Sequence, residues 1–206
     1  MFKTLSVAIS ILLHPFLIPV YIYTVIVLCT PYLLPPLPFA TMIMFLVFML
    51  IICFIIPALL IFIMYRLRLI ESLHLNEITD RIKAFFCTIP IYVLSVYVMY
   101  SKFQFTGLAM AIQSTVLISM FVSGIITFFW KISLHSMSVT GLVYFVGYLA
   151  AVYKIELLYF TFLILLIVAG LLMSARLYLG AHNLSQIGAG MFLGLFLSVF
   201  GTLFFI

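Results

Sequence analysis

The chain has 206 residues, 68% of them hydrophobic and only 6% charged, with a net charge of +5. A soluble domain carries about 25% charged residues, and nine basic with four acidic side chains cannot clothe a surface of this size in water. The basic residues are too few, and too many of them border apolar runs, for a nucleic-acid partner; lipid headgroups and an anionic substrate fit them better.

About 20 helical residues cross the hydrocarbon of a bilayer. Seven apolar runs of suitable composition follow one another at roughly 5–29, 38–64, 84–101, 107–130, 137–153, 157–173 and 183–206. The sequence therefore predicts an all-α polytopic transmembrane bundle forming a single domain over residues 1–206. The fifth and sixth runs are short and closely joined, which leaves six or seven spans and allows one of the two to be partly re-entrant. The first run passes through His14-Pro15 without a small-residue cleavage site and reads as a retained span. Thr30-Pro31 and Pro35-Pro36-Leu37-Pro38 mark an uncharged connection, while Pro15, Pro19, Pro57 and Pro90 fall inside runs, where membrane helices tolerate them.

Residues 66–83 differ from the rest. Arg66, Arg68, Glu71, Glu77, Asp80, Arg81 and Lys83 make up 7 of the 13 charges, and Leu67, Ile70, Leu73 and Ile78 alternate with them. This pattern predicts an amphipathic helix at the membrane surface, with His74 on its solvated face. Cys29, Cys53 and Cys87 lie in or at the end of apolar runs without a Cys-x-x-Cys spacing, so neither a disulfide framework nor a thiolate metal site is indicated.

Three polar clusters interrupt the apolar chain. They are Asp80-Arg81-Ile82-Lys83, then Lys131-Ile132-Ser133-Leu134-His135-Ser136, then Ser174 to Gln186 with Arg176, His182, Asn183 and Ser185. Two spans separate each cluster from the next, so all three fall on one side of the bilayer. A set of four cations, two histidines and several hydroxyls with few acids suits a phosphate group. Arg binds two phosphate oxygens at once and Lys supplies a point charge. Two histidines can divide a displacement at phosphorus between attack and protonation of the leaving oxygen. Gly180-Ala181-His182-Asn183 opens the last run, and a helix N-terminus there aims free N–H groups at the same anion.

These residues resemble the motifs of the type 2 phosphatidic acid phosphatase superfamily, membrane phosphatases acting on lipid phosphates. The third family motif is Ser-Arg, five residues, His, three residues, Asp. Arg176, His182 and Gln186 keep its spacing, with Gln in place of Asp. The second is Pro-Ser-Gly-His, of which Ser133 and His135 are kept. The first, Lys, six residues, Arg-Pro, is poorly kept around Arg81 and Lys83. The resemblance spans roughly residues 80–190. It implies a phosphatase acting on a lipid phosphate or diphosphate with no metal and no organic cofactor. By that resemblance His182 attacks phosphorus and becomes a phosphohistidine. His135 protonates the leaving alkoxide and then activates water. Arg176, Ser133 and one or both of Arg81 and Lys83 hold the phosphate, and Gln186 stands where the family has the Asp that orients the nucleophile. Lys131, two residues before Ser133 and outside the motif, is placed to add charge.

Other readings stay beside this one. A non-catalytic member would bind or pass an anionic lipid, and a small transporter or a haem-binding electron carrier is a third class. His14, before Pro15, reads as a packing or helix-kink residue, or as a lining residue of the substrate path. Gly188, Gly190 and Gly194 read as positions of close helix approach. The expected location is the cell (inner) membrane. The cluster side carries Lys3, Arg66, Arg68, Arg81, Lys83, Lys131 and Arg176 against Lys102 and Lys154 opposite, which favours a cytoplasmic face, although the resembled family commonly places its site outside.

Overall fold

The fold comes from a computed structural model that describes residues 2–73, 75 and 77–205, the side chain of Phe205 excepted. Among them the helices are α1 (Phe2–Leu12), α2 (Ile18–Cys29), α3 (Phe39–Leu50), α4 (Ile56–Arg66), α5 (Ile78–Ser101), α6 (Gly107–Thr127), α7 (Leu134–Tyr153), α8 (Glu156–Tyr178) and α9 (Leu184–Phe205), with no strand. They make seven segments long and apolar enough to cross a bilayer: Phe2–Cys29, Phe39–Arg66, Ile78–Ser101, Gly107–Thr127, Leu134–Tyr153, Glu156–Tyr178 and Leu184–Phe204. The chain is a polytopic all-α integral membrane protein. Seven, the larger of the two counts the sequence allows, is the number long enough to span. Neither α7 nor α8 is cut short: Lys154 adopts a left-handed conformation (φ 54°) and closes α7 by donating its N–H to the Ala150 carbonyl. That tight reversal leaves room for α7 and α8 to run 20 and 23 residues.

Helix α7 is the most enclosed span and packs on α9, α8 and α2; α8 is the least enclosed. Outward faces carry bare aromatics, such as Phe192, Phe196, Phe200 and Phe204 stacked along α9, which lipid accepts without a partner. The α7–α9 contact depends on missing side chains. A methyl group at Gly190 would collide with Ser136 Oγ and the Ser133 carbonyl, and one at Gly194 with the Met137 carbonyl. Gly188 faces open space and does not share this role.

Two spans are broken. In the first, Pro15 has no N–H to continue the ladder. The helix gives way to a 3₁₀ turn, Pro15–Leu17, whose Phe16 N–H is capped by His14 Nδ1 at 3.3 Å, and Tyr21 donates to the Leu12 carbonyl at 2.6 Å. In the second, Ile51–Ile55 forms a π turn ahead of Pro57. Pro57 removes the N–H that would meet the Cys53 carbonyl four residues back, and the Tyr92 hydroxyl donates to that carbonyl at 2.9 Å. Breaks of this kind survive in lipid only where neighbouring groups satisfy the freed backbone. The breaks meet at a contact of the His14 and Phe54 rings, 6.2 Å between centroids.

The expected surface helix over 66–83 is not formed. Helix α4 ends at Arg66, α5 begins at Ile78, and the described residues between them are turns and bends, with Arg68 and Leu75 at φ 59° and 49°. The charged side chains serve the backbone of this connection instead of covering a solvated helix face. Asp80, only 2% exposed, accepts the Glu71 N–H at 2.8 Å; Lys83 Nζ donates to the Leu69 carbonyl at 2.7 Å; Arg81 Nε donates to the Leu75 carbonyl at 2.8 Å. Local bonds of this sort compete with helix formation. Ile70 plugs into a small core with Ile61, Met64 and Ala84. His74 lies outside the described residues.

Candidate functional site

The three polar clusters meet at one end of the bundle. Arg81, in the first turn of α5, donates through Nη1 to the Ile132 carbonyl at 3.4 Å. Ser133 N–H donates to the Gln186 carbonyl at 3.3 Å, and Ser136 Oγ donates within reach of both the Ser133 and Ile187 carbonyls, at 3.0 and 3.1 Å. Ser133 is wholly buried and caps α7, accepting the Ser136 N–H through Oγ. The starts of α5, α7 and α9 are thus stitched together by hydrogen bonds to backbone carbonyls, and Gly190 lets α9 come close enough for the last of them.

The spacing from Arg176 to His182 has a local cause. Gly180 takes a left-handed φ of 61° and ends α8 with paired bonds, Gly180 N–H to the Leu177 carbonyl at 2.9 Å and Ala181 N–H to the Arg176 carbonyl at 3.2 Å. This reversal returns the chain over the last turn of α8, so His182 faces the arginine that precedes it.

Asn183 and Gln186 then open α9 as a reciprocal cap. Asn183 Oδ1 accepts the Gln186 N–H at 2.9 Å, and Gln186 Oε1 accepts the Asn183 N–H at 3.2 Å. The second bond fixes the chemistry of His182. A backbone N–H can only donate, so the amide atom facing Asn183 is the oxygen. That same oxygen lies 3.2 Å from His182 Nδ1, which must therefore carry the proton. Nε2 of His182 is left with its lone pair. Because the cap occupies the Asn183 and Gln186 amides, those two N–H groups do not reach out to an anion as the sequence reading expected of this helix start.

The electrostatics favour a neutral ring. Burial first, then the charges of Arg176 and Arg81 and, more weakly, Lys131, push the His182 imidazole from 6.5 down to about 4, against the opposing bond to Gln186. Burial, then Arg81 and Arg176, lower the Lys131 ammonium as well, with Glu77 opposing. Among the described residues the one ion pair is Lys83 with Asp80, at 3.7 Å. Arg81, Lys131 and Arg176 share their end of the bundle without a carboxylate in salt-bridge contact, and Arg176 Nε is buried with no hydrogen-bond partner among the described residues. Three cations so placed repel one another, and an anion between them relieves that repulsion.

Of the residues expected from sequence, Arg81, Lys131, Ser133, Arg176, His182 and Gln186 come together. Lys83 does not join them; it is half exposed and engaged by Asp80 and the Leu69 carbonyl. His135, in the first turn of α7, points inward. Its Nε2 lies 3.2 Å from the Ser10 carbonyl, and its ring packs edge-on against His14 with centroids 5.7 Å apart. The sequence offers His14 as a packing or kink residue or as a lining residue of the substrate path, and gives no sign of the bond from His135 to the Ser10 carbonyl. Asp80 and Asn183 were also missed in their holding roles. Comparison with protein-family models, curated proteins and solved structures finds no match to this chain.

Proposed function

We propose that this protein is a membrane phosphatase, resident in the cell (inner) membrane, which hydrolyses a lipid phosphate or diphosphate through a phosphohistidine at His182. The observation that carries this reading is an oriented, neutral histidine with a free Nε2, held beside three cations that lack a paired carboxylate. Arg176, with its free Nε, and Arg81 grip the phosphate oxygens, Lys131 adds charge, and the Ser133 hydroxyl can donate a hydrogen bond.

His182 Nε2 attacks phosphorus as the bond to the lipid oxygen breaks. The electron pair leaves on that oxygen, and protonated His135 returns a proton to it, releasing the alcohol. Neutral His135 then takes a proton from water, the hydroxide attacks phosphorus, the P–N bond breaks back onto Nε2, and inorganic phosphate departs with His135 recharged. Gln186 orients the nucleophile without giving Coulomb stabilisation to the positive ring, which makes the reaction slow. That neutral amide is also the observation favouring a second reading, a protein that binds an anionic lipid without turning it over.

The test is phosphate release by purified protein from a panel of lipid phosphates and diphosphates, with His182→Ala as control. Release that depends on His182 supports the enzyme. Saturable binding of the same lipids without release by the native protein selects the second reading.

A further inference from the structure

His135 can carry a proton to and from the substrate only if its ring is held in one orientation. We infer that the break in the first span is a positioning device for His135: the turn held by His14 and Pro15 frees the Ser10 carbonyl, which fixes the His135 ring with its proton on Nε2 and Nδ1 open for proton transfer. The inference rests on the phosphatase reading for what Nδ1 does, and on geometry alone for how the ring is held.

In an unbroken helix the Ser10 carbonyl accepts the N–H of residue 14. Here the His14 N–H turns instead to the Ile11 carbonyl at 3.2 Å, while Leu13 N–H still meets Ile9 at 2.9 Å. The ladder therefore fails at Ser10. It fails because Pro15 cannot supply the N–H that Ile11 would otherwise receive. The turn is then locked from the other side, since Phe16 N–H bonds to His14 Nδ1 at 3.3 Å. The freed Ser10 carbonyl meets His135 Nε2 at 3.2 Å, across 125 residues of sequence.

A carbonyl only accepts, so Nε2 of His135 must be the protonated nitrogen. Nδ1 has no hydrogen-bond partner among the described residues. The two histidines of the site are thereby held in opposite tautomers, His182 protonated on Nδ1 by its contact with Gln186 and His135 on Nε2 by its contact with Ser10. Each offers its remaining nitrogen, one to attack and one to carry the proton. Holding the orienting group on the first span, packed along α8 through Ile9 and Leu13, ties the proton carrier to an element outside all three polar clusters. In this arrangement His14 is a positioning residue, acting through the acceptor it offers to Phe16, and its edge-on contact with His135 is packing.

The experiment is ¹⁵N NMR of histidine-labelled full-length protein in detergent micelles, with the His135 ring signals assigned by His135→Gln, alongside kinetics of two variants. His14→Asn keeps a side-chain acceptor near the position of Nδ1; His14→Leu removes it. The native His135 ring is expected as the Nε2–H tautomer above pH 7. His14→Asn should keep that tautomer and keep kcat within about threefold. His14→Leu should give a tautomer mixture and a kcat lower by about ten- to a hundredfold with KM little changed, part of the power of an aligned proton carrier. An Nδ1–H or mixed ring in the native protein overturns the inference without reference to any variant. So does a His14→Asn protein that behaves as His14→Leu in both tautomer and kcat. Because the ring signals need no substrate, the two ideas fail separately. Tautomers as expected with no lipid phosphate turned over removes the phosphatase and keeps the positioning; turnover with the wrong native tautomer does the reverse.

Discussion

The bundle holds two groups of polar residues, one buried and one partly exposed, and they are built on opposite principles. In the interior, Gln113 donates to Ser95 at 2.7 Å, Ser95 donates to the Tyr92 carbonyl at 2.7 Å, Tyr92 donates to the Cys53 carbonyl, and Tyr23 donates to the Ala109 carbonyl at 2.7 Å. Every member is uncharged, and among the donors and acceptors named only Gln113 Oε1 is left without a partner. This node ties spans one, two, three and four together and satisfies a carbonyl that Pro57 freed. At the loop end, Arg81, Lys131 and Arg176 are gathered with the neutral His182 and no matching acid. A group whose bonds close on themselves serves the fold. A group that concentrates one sign of charge beside an oriented nucleophile stores a demand for an anion, which structure alone does not require.

Breaking the second group should therefore cost activity, and breaking the first should cost stability. After the nucleophile itself, whose replacement in His182→Ala should abolish turnover, the largest effect is expected at His135, where replacement by Ala should lower turnover by about 10²–10⁴-fold while phosphate-dependent binding persists; steady-state kinetics with one lipid phosphate, together with equilibrium binding, read both. Next is Arg176→Gln, which should weaken phosphate affinity by about ten- to a hundredfold, the range for hydrogen bonds to charged groups. It carries a pH signature as well. Arg176 helps to hold His182 near 4, so its removal moves that group upward toward 6.5. The acid limb of kcat/KM should then rise in pH relative to the native protein, and comparison on one substrate cancels the substrate's own ionisation.

Gln186→Asp sharpens the comparison by adding the missing acid. A carboxylate four residues from His182 keeps the bond to Nδ1 and adds Coulomb support for the positive ring, so turnover should rise, by up to about 10²-fold, with the acid limb again shifted upward. A folded variant that binds substrate yet is slower or equally inert would show that Gln186 does not stand in for an orienting acid. The smallest effect belongs to the interior node. Ser95→Ala should lower stability by about 0.6 kcal/mol, typical for hydrogen bonds between membrane helices, and leave turnover unchanged; thermal unfolding in detergent reads the first and phosphate release the second. Sidedness checks the shared end directly. Single cysteines at 83, 131 and 183, in protein lacking Cys29, Cys53 and Cys87, should label from one side of the membrane, and those at 102 and 154 from the other.

The spans were legible because bilayer thickness translates directly into run length, and the convergence of the clusters followed from counting crossings between them. The spacing of Arg176, His182 and Gln186 was equally visible, and Gly180 with the Asn183–Gln186 cap gives it a local reason. What escaped the sequence was everything decided by which backbone group lacks a partner. The stretch 66–83 has the composition of a surface helix, yet Asp80, Arg81 and Lys83 bind the backbone of Glu71, Leu75 and Leu69, and its described residues between Arg66 and Ile78 lie in turns and bends. Lys83 looked like Arg81's companion, and differs because Asp80, three residues before it, captures its charge. His14 reads as a packing or kink residue or as a lining residue of the substrate path, and its link to His135 depends on a carbonyl that periodicity does not reveal.

The central claim is that the loop end of this bundle attacks phosphate with His182 Nε2. The most direct measurement is to mix purified protein with a ³²P-labelled lipid phosphate, quench in alkali and locate the label by peptide mapping. Phosphohistidine at position 182, absent from His182→Ala and retained on the native protein long enough to be chased by water, is the predicted result. A native protein that releases phosphate without labelled histidine, or that keeps full turnover as His182→Ala, would contradict it.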